Sequence, residues 1–447
     1  MTERFETRRK PRQRWRSLLA GLGLASLATI AQAQVPLSTV VKLAQRNSSS
    51  VRIAEADVSK ARAQLAESRD VLIPTIELGT GVPVFPEVGF TGTPPSIWDA
   101  TVQSLVFGVP QKRYIDAARL GLEAAMASLH AAKEQVALDA STTYIELDTV
   151  NRELKATQQQ EGDANKLVAI EQQRTMAGVD PLSDLLEAKL TAAQIRLNML
   201  HLETRATTLS KQLSVQTGLP SGTISPDRAS IPQIPPVSGD LTVGKHPPAA
   251  PGSAELLALS KQETAKGDAE VSYLPQLVFQ AQYLRNTTLL NTVNDFFKKP
   301  LPANNFASGI SIQIPVFDML HRARARASAA EALRATVEAQ EAQRQHEVRI
   351  ATLTSSLREL STEAEIARLK EEISAQKLKS VLTQLQMGSG AGAQTQLSPK
   401  AAELARIDKW TKYEDSLEAN LNLNKARLDL LHALGDMQEW MNELHTP

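Results

Sequence analysis

"GISIQIPVFDMLHRARARASAAEA", residues 309–332, changes its period within a few positions. Ile310, Ile312 and Ile314 alternate with Ser311 and Gln313, the spacing of a strand with one apolar face, and an Ala/Arg-rich helical run follows with only Pro315 to Asp318 between. The stretch "TVQSLVFGVPQKRYIDAARLGLEAA" (101–125) makes the same change. The two superpose with Val106-Phe107 on Val316-Phe317, an offset of 210 residues, so the chain reads as a duplicated unit.

Each copy can be followed in both directions from this joint. Upstream in the first half, a helix from Leu37 to about Leu72, with Leu43, Val51, Ala54, Val58, Ala61 and Leu65 on one side, is followed by strands at about 75–85 and 97–107. Trp98, Ala100, Val102 and Val106 share a face in the second of these, opposite Asp99, Thr101 and Gln103. The second half has a helix from 254 to about 271, then strands at about 276–284 and 306–316. Downstream, Leu122, Met126, Leu129, Val136, Thr143, Leu147, Val150 and Leu154 recur at steps of three and four with two gaps, the seam of a coiled coil. Ile350, Leu353, Leu357, Leu360, Ala364 and Ala367 keep the same rhythm. The helical runs break at Gly178 and Gly388, each 71 residues past its joint. A continuous helix of that length is about 106 Å long, more than a globular core needs. Beyond each glycine the chain returns as helix, from about Pro181 to Gln216 and from about Pro399 to Trp440. The first repeat is thus 34–216 and the second 254–447. Residues 217–253, with eight prolines, read as an extended strap outside regular structure.

The first 33 residues do not belong to this scheme. Seven basic residues precede an apolar stretch from Leu18 to Ile30, and Ala31-Gln32-Ala33 supplies small residues for a peptidase, the pattern of a signal peptide. The alternative, a membrane anchor, needs a longer run. Without 1–33 the chain has 42 basic and 47 acidic residues, a net charge of −5, which argues against a nucleic-acid partner. There is no cysteine, hence no disulfide, no thiolate metal site and no lipid on an N-terminal cysteine.

Past residue 33 the sequence has no apolar run near the roughly 20 residues of a membrane-spanning helix. Any crossing is therefore made by strands, since only helices and closed barrels satisfy backbone hydrogen bonds in lipid. Alternation also suits a soluble sandwich with one wet side. In lipid, four strands cannot close. Two copies give a barrel that side chains fill, and three give twelve strands with room for water.

This order of elements resembles the TolC-type outer-membrane efflux proteins. The residues that carry the resemblance are "SLVFGVPQKRYIDAAR" and "IQIPVFDMLHRARARAS" at the joints, "MAGVDPLSDLLEAKL" (176–190) at the first tip and return helix, and "VVKLAQRN" (40–47) with Leu72-Ile73-Pro74. The family usually has proline at the position of Ser48 and glutamate at that of Thr39, and the second tip, "MGSGAGAQTQLSP" (387–399), is longer and richer in glycine than the first. The resemblance implies a mainly α protein with a β-barrel part: a homotrimer with a twelve-stranded barrel in outer-membrane lipid and an α-helical periplasmic tunnel. It also implies a periplasmic adaptor and an inner-membrane transporter of RND or ABC type as partners, in efflux or type I secretion. The alternatives are a periplasmic adaptor, which has one hairpin set where this chain has two, and a coiled-coil stalk, which the strands disfavour.

No catalytic, cofactor or metal residue is read. "HEVRI" (346–350) lacks a second histidine, and "GSGAGA" (388–393) follows a helix where a dinucleotide fingerprint follows a strand. The candidate functional residues are at the tips and joints. Met176, Gly178, Val179, Met387, Gly388 and Gly390 are the expected adaptor-docking surface, because glycine at a helical turn permits close backbone approach. The simpler reading of each glycine is a left-handed turn residue. Asp180 and Asp184, repeated about a threefold axis, are the expected charge at the pore entrance, the simpler reading being acids that complement a helix N-terminus. Phe107, Gly108, Phe317 and Asp318 mark the strand-to-helix joints.

Overall fold

The structure, a computed structural model, describes residues 34–80, 96–220, 224–234, 249–286, 304–387 and 399–443. Residues 1–33, Gly388 and Gly390 lie outside these, as do 81–85 of the first expected strand and 221–223 and 235–248 of the strap. In chain order the elements are β1 (Gln34–Val35), α1 (Leu37–Asn47), α2 (Ser49–Asp70), β2 (Thr75–Gly79), β3 (Ser96–Gly108), α3 (Val109–Met176), α4 (Leu182–Thr217), β4 (Ser225–Pro226), α5 (Ala249–Val271), β5 (Gln276–Asn286), β6 (Asn304–Gln313), α6 (Met319–Met387), α7 (Pro399–Leu434) and α8 (Met437–Glu443).

The first helical stretch is two helices, not one. Ser48 has φ −62° and ψ 131°; its amide still bonds Ala44 at 2.9 Å while its side chain caps α2. A residue with the φ of proline thus makes the break where the family usually has proline. Val51, Ala54, Val58, Ala61 and Leu65 form the buried stripe of α2. In α1 the buried residues are Leu37, Val40, Val41 and Ala44, so Leu43 sits off the stripe.

The long helices α3 and α6 hold 68 and 69 residues. At 1.5 Å per residue each is about 100 Å long. α3 lies against α1, α2, α4, α5 and α7, and α6 against α5 and α7, so α3 is the spine on which most of the helices pack. The largest core gathers α1, the middle of α3, the end of α4, Ile224, Ile234, the end of α7 and α8. At its centre Tyr144 is fully buried, its hydroxyl donating to the Val35 carbonyl (2.7 Å) and accepting from the Asp227 amide (2.6 Å). These bonds fix the parallel pairing of β1 with β4. The span 217–253 is therefore not wholly irregular: it contains β4, a 3-10 turn at Arg228–Ser230 and the first turn of α5, where Pro251 is tolerated. A smaller core (Ala164, Leu167, Ala188, Ile195, Ile407) ties α3, α4 and α7 together nearer the tip.

The four longer strands form one antiparallel sheet in the order β2-β3-β5-β6, so the two halves meet along β3 and β5. β6 ends at Gln313, ahead of the expected 316, because Pro315 has no amide to donate and Ile314 precedes it.

Candidate functional site

The sheet sorts its side chains by register. Residues paired across antiparallel strands share a face. Ile76–Val102–Ala281–Ser308 and Leu78–Ala100–Tyr283–Phe306 are rows on one face, joined by Phe107–Leu277–Ile312. The other face holds Glu77–Thr101–Gln282–Ala307, Thr75–Gln103–Gln280–Gly309 and Gln276 paired with Gln313. One side is thus mainly apolar, and the other, Leu105, Val278 and Leu284 apart, is dominated by amides and hydroxyls. The apolar side stands open: Ile76 is 70% exposed, Leu78 76%, Phe306 72% and Ile310 64%. The outer edges of β2 and β6 have no strand partner among the described residues.

A bulge corrects one expected position. Between Leu105 and Phe107 the register shifts, leaving Val106 as the extra residue and setting Phe107 opposite Leu277. Phe107, not Val106, therefore continues the apolar rows. Next to it Gly108 is the N-cap of α3 in an extended conformation. At the second joint Phe317 is 77% exposed. Asp318 caps α6, accepting from the His321 amide at 2.9 Å, and that bond, with the imidazole contact, holds its carboxyl below the usual range.

At the far end of α3 the chain reverses through a Schellman turn. The Val179 amide bonds the Arg174 carbonyl (2.9 Å) and the Gly178 amide bonds that of Thr175 (3.0 Å). Gly178 has φ +68°, the left-handed conformation, and a Cβ there would meet nothing within 4 Å. The turn requires this glycine, and the space beside it is open. Met176 (80% exposed), Val179 (61%) and Leu182 (61%) form an apolar cap, continued along α4 by Leu186 and Leu190. Met387 is the last residue of α6.

Asp180 and Asp184 belong to an ion network. The Arg174 guanidinium donates from Nε and Nη2 to the two Asp180 oxygens at 2.5 and 2.9 Å, holding that carboxyl below its ordinary value. Asp184, in the first turn of α4, lies 2.7 Å from Lys400 Nζ. Lys400, at the start of α7, is also 2.7 Å from Glu171 Oε1 on α3, and the two carboxylates raise its pKa, Asp184 first. Oxygens of Glu171, Asp180 and Asp184 lie within 4.8 Å of one another, and Arg174 and Lys400 supply positive charge among them. By formal charge, the three carboxylates and two cations of this network carry one net negative charge.

Sequence reading missed Glu171, Arg174 and Lys400. One signal was available: Lys400 follows Pro399 in the first turn of a helix, where the dipole disfavours a cation. Such a lysine calls for nearby anions.

Set against known proteins, residues 102–219 match the family model described as outer membrane efflux protein, which bears out the resemblance read from the sequence. Among solved structures the chain is similar to the outer membrane protein VceC of Vibrio cholerae, with a TM-score of 0.70 at 17% identity over 89% of this chain and 96% of that one. It is also similar to the CmeC outer membrane channel of Campylobacter jejuni (0.67, 14%, 91% and 89%). A third similar structure is the open state of the MtrE outer membrane channel of Neisseria gonorrhoeae (0.66, 15%, 90% and 89%). At these identities the structural likeness establishes the fold. A search of curated proteins finds no significant match.

Proposed function

We propose that this chain, which carries the fold of the outer-membrane efflux channels, is the exit duct of an efflux or secretion system. Three copies pool twelve strands into a barrel through the outer membrane, and their long helices extend into the periplasm. The single observation that carries this reading is the register of the sheet, which gathers apolar side chains on one face and amides on the other across all four strands. Such a wall suits lipid outside and water inside. Its unpaired edges favour closure with further copies, since each open backbone group in lipid costs several kcal/mol. Exposed apolar residues on α6, among them Leu333, Val337, Ile366 and Ile373, suit contact with neighbouring copies.

Passage is passive, driven by a pump elsewhere. The apolar cap of Met176, Val179 and Leu182 is the surface offered to a periplasmic adaptor, with Met387, Gly388 and Gly390 its counterpart on the second hairpin. Lys400 ties that second hairpin to the first through Glu171 and Asp184, which makes the network a latch at the periplasmic end. The residual negative charge there, tripled about the axis, favours cations.

Fractionation tests the assignment. Trimers in the outer membrane that resist cold detergent, dissociate on heating and conduct ions in planar bilayers are expected; a soluble periplasmic monomer contradicts it.

A further inference from the structure

One charged residue stands on the apolar face among the described positions. Arg285 is paired in register with Trp98 on one side and Asn304 on the other. It is exposed, and it forms no ion pair or side-chain hydrogen bond with the described residues. This row lies at the end of the sheet remote from the helices, since the opposite end runs into α3 at Gly108 and into α6 past Gln313.

Its neighbours grade from apolar to polar. The next row inward carries Leu78, Tyr283 and Phe306, and the Tyr283 hydroxyl reaches outward to donate to Asn304 Oδ1 at 3.0 Å. Trp98 is 56% exposed. Trp and Tyr together at one end of an apolar face mark a membrane–water boundary. From Leu277 to Arg285 on β5 is about 27 Å along the strand, or about 20 Å of height at a tilt near 40°, close to the apolar band of an outer-membrane barrel. An arginine facing lipid is strongly disfavoured at the midplane and little penalised at the boundary, and Arg285 stands where that cost vanishes.

We infer that Arg285, flanked by Trp98 and Asn304, binds the phosphate of a lipid headgroup in the leaflet remote from the helices. The guanidinium fork matches phosphate oxygens in bidentate fashion, and the acyl chains of the same lipid lie along the rows of Tyr283, Phe306 and Ile310. A membrane lipid, and not free phosphate, is the ligand, because the cation sits at the head of an apolar wall. The inference rests on the barrel reading above.

The test is native mass spectrometry of full-length trimers released from nanodiscs of phosphatidylglycerol or of a neutral galactolipid. Wild type is expected to retain phosphatidylglycerol about tenfold more strongly than Arg285→Gln, with Arg285→Lys intermediate. Retention of the galactolipid should not differ, and 10 mM inorganic phosphate should displace nothing. Equal phosphatidylglycerol retention by wild type and Arg285→Gln overturns the inference while leaving the channel intact. Displacement by free phosphate also overturns it. Failure of the wild type to insert removes the barrel reading, and the inference with it.

Discussion

The Lys400 ammonium lies 2.7 Å from the carboxylate of Glu171, whose side chain is 1% exposed, although the two residues sit 229 positions apart on different hairpins. Removing the cation strands a buried charge at about 3–5 kcal/mol. Lys400→Met is therefore expected to loosen the tip, raising single-channel conductance severalfold in planar bilayers. Lys400→Met combined with Glu171→Met, which removes the buried carboxylate and leaves only the partly exposed Asp184 without its cation, should restore much of the closed state. Unchanged conductance in the single variant means that this pair does not hold the hairpins together.

Gly178 separates backbone strain from docking. Its φ of +68° penalises any side chain by about 1 kcal/mol, while the empty space beside it adds no clash. Gly178→Ala is expected to lower the thermal midpoint slightly and keep export, whereas Gly178→Trp should keep trimers in the membrane and abolish export by blocking the adaptor. Normal export by the tryptophan variant would remove the docking assignment.

Glu153 gives the helical part a pH signature. It is 6% exposed, and burial pushes its pKa from 4.5 to about 7, eased by Arg205 and reinforced by Glu418, Glu414 and Glu146. Between those values the folded protein binds more protons at this site than the unfolded chain, so stability falls as pH rises through that window. Glu153→Gln is expected to stabilise by about 1–3 kcal/mol at pH 7.5 and by almost nothing at pH 4.5. Denaturation at the two pH values checks this, and an equal gain at both contradicts it.

Tyr144 anchors the start of the described chain. Tyr144→Phe leaves the Val35 carbonyl and the Asp227 amide without their shared partner at a fully buried position, a loss of about 1–3 kcal/mol. Hydrogen exchange should show faster opening at Val35 and Asp227 while the distant Asp180 tip is unaffected. Unaltered protection at Val35 would mean that water replaces the hydroxyl.

What the sequence made legible was local and periodic. Ile310 and Ile312 announced a two-faced strand, and Val51 to Leu65 announced the buried stripe of α2, because one residue's neighbours at fixed spacing decide both. Positions set by distant partners were not legible. The bulge at Val106 follows from pairing with β5, 170 residues on, and it moved the apolar face from Val106 to Phe107. The break at Ser48 was hidden because serine there does what proline usually does. The ion network was hidden because Asp184 and Lys400 meet only after both hairpins fold, and Asp180 read alone showed no trace of Arg174.

In the barrel proposed above, copies join through the open edges of β2 and β6. The chain has no cysteine, so pairs can be introduced freely. One cysteine within 75–79 and one within 304–313, scanned across registers and oxidised in intact outer membranes, measure this directly. A shared barrel of three copies requires a ladder of covalent dimers and trimers that stops at trimers. Cross-links confined within single chains would contradict it.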